Sequence, residues 1–210
     1  MLAVQGAFAE MAQAFRRAGA ETFELRSARD LERPFDALAL PGGESTVQGK
    51  LLRETGMFEP LAARMSGGLP VFATCAGLIL LAREIENDPA RWFGVLPVTV
   101  RRNAYGRQLG SFATVGRVDG DEGVPMTFIR APSIVSVGDG VEVLSTFDGA
   151  PTGVRHGSVT ALAWHPELTA DSRVIARFLS RLRRQDHSGH SQDIGVDFAL
   201  RFGFAQNNQK

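Results

Sequence analysis

Leu69-Pro70-Val71-Phe72-Ala73-Thr74-Cys75-Ala76-Gly77-Leu78-Ile79-Leu80-Leu81-Ala82 is the stretch around which the rest of the chain is organised. Its first half, apolar and rich in Val and Phe, reads as a buried strand. The run breaks at Thr74-Cys75-Ala76-Gly77 and resumes as Leu78, Ile79, Leu81 and Ala82, which suits a buried helix. The one cysteine of the chain therefore falls where a strand turns sharply into a helix. That geometry lifts a side chain off the sheet, and the dipole at a helix N-terminus favours a thiolate over a thiol. By itself a lone cysteine is more often a small buried hydrophobe, so the residues on either side have to decide.

Working outward toward the N-terminus, the pattern is an alternation of strands and helices. Leu2-Ala3-Val4-Gln5-Gly6 reads as a short buried strand, and Phe8, Met11, Ala12 and Phe15 recur at helical spacing with Gly19 as a stop. Thr22-Phe23-Glu24-Leu25 and Asp36-Ala37-Leu38-Ala39-Leu40 read as two more strands, the latter running into Pro41-Gly42-Gly43-Glu44-Ser45-Thr46. Helical patterns follow through Leu51 and Leu52 and across Phe58, Leu61 and Met65. This rhythm predicts a single α/β domain built on a doubly wound, mostly parallel, flavodoxin-like sheet.

After about Asn87 the rhythm changes. Val98–Arg101, Phe112–Val118, Thr127–Ile129, Val141–Phe147 and Val159–Trp164 read as short strands, a β-rich flank of the same domain because no Ser/Gly/Pro-rich linker sets them apart. A last amphipathic helix carries Val174, Ile175, Phe178, Leu179 and Leu182 on one face and Arg173, Arg177, Arg181 and Arg184 on solvated positions. The expected domain is 1–184, followed by a polar extension over 185–210 that is expected to pack poorly.

Composition narrows the chemistry. The 210 residues contain 23 basic and 23 acidic side chains, a formal net charge of zero, and nothing in their distribution forms a basic stripe for nucleic acid. The longest apolar run is too short and too interrupted to span a bilayer. A single cysteine excludes an internal disulfide framework, and the N-terminus lacks a secretory pattern, so a cytoplasmic protein is expected. His187 and His190 have no further ligands near them, and no metal site is expected.

A thiolate nucleophile needs a base and a group that orients the base. Of the four histidines, His165 lies in Trp164-His165-Pro166-Glu167-Leu168, directly after an apolar strand. In an extended segment residues i and i+2 point to one side, so His165 and Glu167 can converge. Acyl chemistry also needs donors for the oxyanion. The backbone N–H groups of Gly43, in a glycine pair after a neighbouring strand, and of Ala76, at the helix start, are the candidates.

Together, Pro41-Gly42-Gly43-Glu44-Ser45-Thr46, Thr74-Cys75-Ala76-Gly77 and Trp164-His165-Pro166-Glu167-Leu168 resemble the three signatures of class I (triad-type) glutamine amidotransferases. Arg102-Asn103-Ala104-Tyr105-Gly106-Arg107-Gln108 with Ser111-Phe112, and Phe128-Ile129-Arg130-Ala131-Pro132, narrow the likeness to the family of glutaminase subunits of pyridoxal 5'-phosphate synthase. The likeness runs from about Leu2 to Arg183. It implies Cys75 as nucleophile, His165 and Glu167 as base and orienter, and Gly43, Glu44, Ser45, Arg102, Ile129 and Arg130 as the L-glutamine site. An arginine suits the α-carboxylate of free glutamine. It further implies that no cofactor is used and that ammonia passes to a (β/α)8-barrel synthase subunit within a hetero-oligomer. The alternatives are a glutaminase serving another synthase, such as imidazole glycerol phosphate synthase, and a catalytically silent partner-binding subunit.

Overall fold

A computed structural model describes residues 1–102, 104 and 111–188. Along these the order is α1 (Phe8–Arg17), β1 (Leu38–Leu40), α2 (Ser45–Glu54), α3 (Phe58–Ser66), β2 (Val71–Thr74), α4 (Ala76–Leu81), β3 (Ala82–Ile85), β4 (Leu96–Arg101), β5 (Ser111–Val118), β6 (Asp121–Ile129), β7 (Ser133–Val137), β8 (Glu142–Phe147), β9 (Ala150–His156), β10 (Val159–Leu162) and α5 (Arg173–Ser188).

β2 is the spine. It pairs in parallel with β1 on one side and β10 on the other, and the sheet continues through β9, β8, β5 and β6. The segments Leu2–Gly6 and Thr22–Leu25 do not form full strands. They meet in a single parallel bridge, Leu2 to Leu25, and Leu2 N–H donates to the Ala39 carbonyl at 3.0 Å. The spatial sequence is thus Leu25, Leu2, β1, β2, β10, which is the doubly wound order in which ligands bind beyond the carboxyl ends of the strands. Beyond β10 every pairing is antiparallel, and this is the β-rich flank. A separate three-stranded sheet holds β3, β4 and β7.

Side chains on the central strands alternate between two cores, as a pleated strand buried on both faces requires. Leu38, Leu40, Val71, Ala73, Val159 and Ala161 face one side, with Leu52, Leu61 and Leu78 from α2, α3 and α4. Ala39, Phe72 and Leu162 face the other, with Met11, Phe15, Ile175 and Phe178 from α1 and α5. There Phe15, Phe72 and Phe178 stack edge to face or tilted, with centroids 5.3 to 6.2 Å apart. Alternate residues of Val71-Phe72-Ala73 thus lock helices onto opposite faces of one strand.

Several expectations need correction. The buried helix after Cys75 ends at Leu81, and Ala82 opens β3 instead of continuing it. Thr127–Ile129 is the end of the longer β6, Asp121–Ile129, and β7 and β9 were not expected at all. The strand read as Val159–Trp164 stops at Leu162, because the chain then leaves the ladder to place Trp164 and His165. The last helix crosses the expected domain edge at 184 and continues to Ser188. Residues 189–210 of the extension, and Asn103 and 105–110 of the Arg-Asn-Ala-Tyr-Gly-Arg stretch, lie outside the described residues. Among the described residues no helix is long and apolar enough to cross a membrane.

Candidate active site

The strand ends converge. β1 runs into Pro41-Gly42-Gly43, β2 into Cys75 and β10 into Trp164-His165. All three strands are parallel, so these segments emerge on one edge of the sheet.

Cys75 sits between β2 and α4 with φ 47° and ψ −102°. This is a sparsely populated conformation for a residue with a side chain, and such strain persists only where the surroundings over-determine it. Here the Cys75 N–H donates to the Leu162 carbonyl at 2.8 Å, extending the β2–β10 ladder by one rung. Cys75 is 7 % exposed, and its Sγ lies 4.0 Å from the Ile129 carbonyl oxygen. Arg130, directly after β6, has φ 43°, a second positive-φ residue beside the site.

His165 is held from both ends. Its N–H donates to the Thr127 carbonyl at 2.8 Å, and its Nδ1 lies 2.7 Å from Glu167 Oε1. The Glu167 side chain is completely buried. A buried carboxylate is costly unless it is hydrogen-bonded; Thr74 Oγ1, 3.2 Å away, supplies a second donor to the same oxygen. Burial pulls the imidazole toward its neutral form, yet the neighbouring Cys75 and the hydrogen bond and charge of Glu167 outweigh it, and the pKa is pushed up to about 10. With Nδ1 committed to Glu167, the nitrogen left for the thiol is Nε2, which is buried and makes no hydrogen bond among the described residues.

Gly42 explains why the pair can meet. A methyl group built on its Cα would lie 2.3 Å from His165 Cε1 and 3.4 Å from Cys75 Cβ. The imidazole edge and the thiol-bearing carbon both pack against this backbone, so any side chain here would drive them apart. The sequence points to Gly43, whereas the residue in contact with both partners is Gly42. Gly43 is instead backed onto Gln5 and Gly6, where a Cβ would lie 2.4 Å from Gln5 Oε1 and 3.0 Å from Gly6 Cα.

Two glutamines fix this glycine turn. Gln5 Oε1 accepts from the Glu44 N–H at 2.8 Å, while the buried Gln48 donates to the carbonyls of Gln5 and Pro41 at 3.0 and 3.2 Å. Sequence alone does not single out Gln5, Gln48, Gly42 or Thr74. Gln48 left the only signal, a glutamine one helical turn past Glu44 on the otherwise core-facing side of α2.

The remaining predicted residues fall around the same mouth. The Glu44 side chain caps α2, accepting from the N–H groups of Thr46 and Val47 at 3.2 and 2.8 Å. Ser45 opens that helix and is buried. Arg102 is brought to it: Nη1 donates to Thr46 Oγ1 at 2.8 Å and Nη2 stands 3.4 Å from Asp88 Oδ2. Its Nε and Nη2 make no hydrogen bond among the described residues. Ile129 and Arg130 are exposed beside Cys75, and the Arg130 guanidinium has no ion-pair partner among the described residues. The Ala76 N–H belongs to the first turn of α4, where a helix leaves its amides without internal acceptors.

The arrangement can perform acyl transfer. It combines a thiol on a strained elbow, an imidazole packed beside it, a carboxylate fixing the ring, open amides at a helix start, and arginines at the rim.

Known proteins agree with this chemistry. Residues 1–184 match the family model described as the SNO glutamine amidotransferase family. Pyridoxal 5'-phosphate synthase subunit PdxT of Desulfitobacterium hafniense (strain Y51) is 56% identical over 183 residues, covering 87% of this chain and 92% of that protein. The subunit of the same name in Bifidobacterium longum (strain NCC 2705) is 52% identical over 186 residues, covering 86% and 98%. A crystal structure described as a glutamine amidotransferase superposes with a TM-score of 0.82 at 44% identity, covering 87% of this chain and 97% of that one. A glutamine amidotransferase from Thermotoga maritima, at 17% identity and a TM-score of 0.56 over 88% of this chain and 84% of that one, shares the fold.

Proposed function

Because the chain belongs to the SNO glutamine amidotransferase family, we propose that it is the glutaminase subunit of a pyridoxal 5'-phosphate synthase, hydrolysing L-glutamine with Cys75 as nucleophile, His165 as base and Glu167 as orienter. The observation that supports these roles best is the packing of the His165 ring and Cys75 against the one Gly42 backbone, with Glu167 on Nδ1 of the ring.

The chemistry runs in two halves. The Cys75 sulfur attacks the carbon of the side-chain carboxamide, and the carbonyl electrons move onto oxygen, where the Ala76 and Gly43 amides receive the charge. His165, protonated and held by Glu167, gives its proton to the departing nitrogen, and ammonia leaves as the C–N bond breaks. The neutral imidazole then takes a proton from water, whose oxygen attacks the glutamyl thioester. Collapse releases glutamate and restores the sulfur. Gly43, Glu44, Ser45, Arg102, Ile129 and Arg130 are the residues we assign to glutamine itself. Arg130, exposed and free of a carboxylate partner among the described residues, is suited to the α-carboxylate.

The partner is a synthase subunit. We assign it the (β/α)8-barrel form and a hetero-oligomeric complex that receives the ammonia, in the cytoplasm. The test is ammonia release from L-glutamine by wild type and Cys75→Ala, each with and without such a partner. Wild type with the partner turns over glutamine. Cys75→Ala falls by at least roughly 1,000-fold while still binding the partner. Unchanged ammonia release by Cys75→Ala would refute the assignment.

A further inference from the structure

One hydroxyl joins the two halves of the site. Thr74 is fully buried, and its Oγ1 lies 3.1 Å from the Gly42 nitrogen and 3.2 Å from Glu167 Oε1. A backbone N–H can only donate, so Thr74 accepts from Gly42. Its single hydroxyl hydrogen has no acceptor other than Glu167 among the described residues, and so it points there. Glu167 Oε1, receiving that hydrogen, also receives the one on His165 Nδ1. The series Gly42 to Thr74 to Glu167, met from the other side by His165, therefore has one direction. With Oε1 accepting from Thr74, the hydrogen between Glu167 and His165 belongs on Nδ1, which leaves Nε2 to exchange protons at the reacting centre.

The hydroxyl is not needed to build the strand. β2 is already held by backbone pairing to β1 and β10, including Thr74 against Leu162. A valine has the same shape and would avoid the cost of burying a polar group. We propose that Thr74 is a positioning residue that ties the carboxylate orienting His165 to the glycine turn packed against Cys75, so that the base and the turn are set by one hydroxyl. This inference rests on the glutaminase function proposed above.

Removing the hydroxyl has two consequences. The Gly42 N–H is left buried without an acceptor, which loosens the turn. Glu167 loses one donor to Oε1, so the His165 imidazolium becomes that oxygen's one remaining hydrogen-bond donor among the described residues and is held more firmly.

The test uses L-glutamine and the full chain in complex with its synthase partner. Thr74→Val is expected to lower kcat/KM roughly 10- to 100-fold, mostly through kcat, because it removes a hydrogen bond to a charged group and strands a buried donor. The alkaline limb of its pH profile moves to higher pH. Thr74→Ser, which keeps the hydroxyl, restores both the rate and the position of that limb. Full activity with an unmoved profile in Thr74→Val overturns the proposal, as does Thr74→Ser being as impaired as Thr74→Val. Should Thr74→Val fail to fold, Thr74→Ala replaces it against Thr74→Ser with the same readouts. A wild-type complex that releases no ammonia defeats the glutaminase function itself, whereas an active wild type matched by Thr74→Val defeats only the role of Thr74.

Discussion

His165 keeps its proton against burial. Desolvation alone would lower its pKa, and it is the Cys75 and Glu167 contacts that raise it from 6.5 to about 10. A group whose folded pKa lies above its unfolded one contributes stability that is complete below the unfolded value and is lost as pH rises through the folded one. The window here runs from pH 6.5 to about 10. Wild type is therefore expected to lose thermal stability relative to His165→Gln as pH is raised from about 7 to about 10, measured as the difference in Tm between them. A constant difference across that range would contradict the raised pKa. The residues that could be read from sequence at this scale, Cys75, His165 and Glu167, have side-chain chemistry that stands out at the end of an apolar run. Thr74 and Gly42 do not. Their roles consist of hydrogen bonds to partners 93 and 32 residues away, and a threonine ending a strand or a glycine in a turn looks the same whether or not such a partner exists.

The elbow is an element built around a close approach. α4 is only six residues long, and its second residue is Gly77 because the helix lies against the end of β1. A Cβ at Gly77 would stand 2.4 Å from the Leu40 carbonyl oxygen, a backbone atom with no room to retreat inside a paired strand. Gly77→Ala is expected to destabilise the protein by about 1–3 kcal/mol, since overpacking against backbone must shift the helix that carries Cys75. The midpoint of a denaturant titration reads this directly, and an unchanged midpoint would mean that α4 moves freely over β1. The strand–elbow–helix order was legible from the apolar run, but the length of the helix was not. Leu78-Ile79-Leu80-Leu81-Ala82 carries no periodicity to separate buried helix from buried strand. β9 was hidden for a different reason: Pro151 and Gly153 interrupt it, and its place is set by pairing with β8 and β10.

At the scale of the molecule, the order Leu25, Leu2, β1, β2, β10 puts segments far apart in sequence onto one edge of a sheet. The alternation of strands and helices in the first half of the chain was enough to anticipate this, because parallel strands buried on both faces leave an unmistakable apolar pattern. The antiparallel flank was only partly legible. Its strands have one exposed face and alternate weakly, as the burial of β5 illustrates, so which residues pair is decided by hairpin contacts that the pattern does not record. The flank nonetheless matters to the site, since β6 supplies the Thr127 carbonyl that holds His165 and the Ile129 carbonyl that faces Cys75.

The most direct measurement of the central claim is covalent capture of the nucleophile. The full chain in complex with its synthase partner would be treated with a glutamine analogue bearing a chloroketone in place of the carboxamide, and the modified residue located by peptide mass spectrometry. The expected result is one label per chain, on Cys75, suppressed by excess L-glutamine and absent from Cys75→Ala. Labelling at another residue, or labelling of Cys75 that L-glutamine does not slow, would contradict Cys75 as the nucleophile for glutamine.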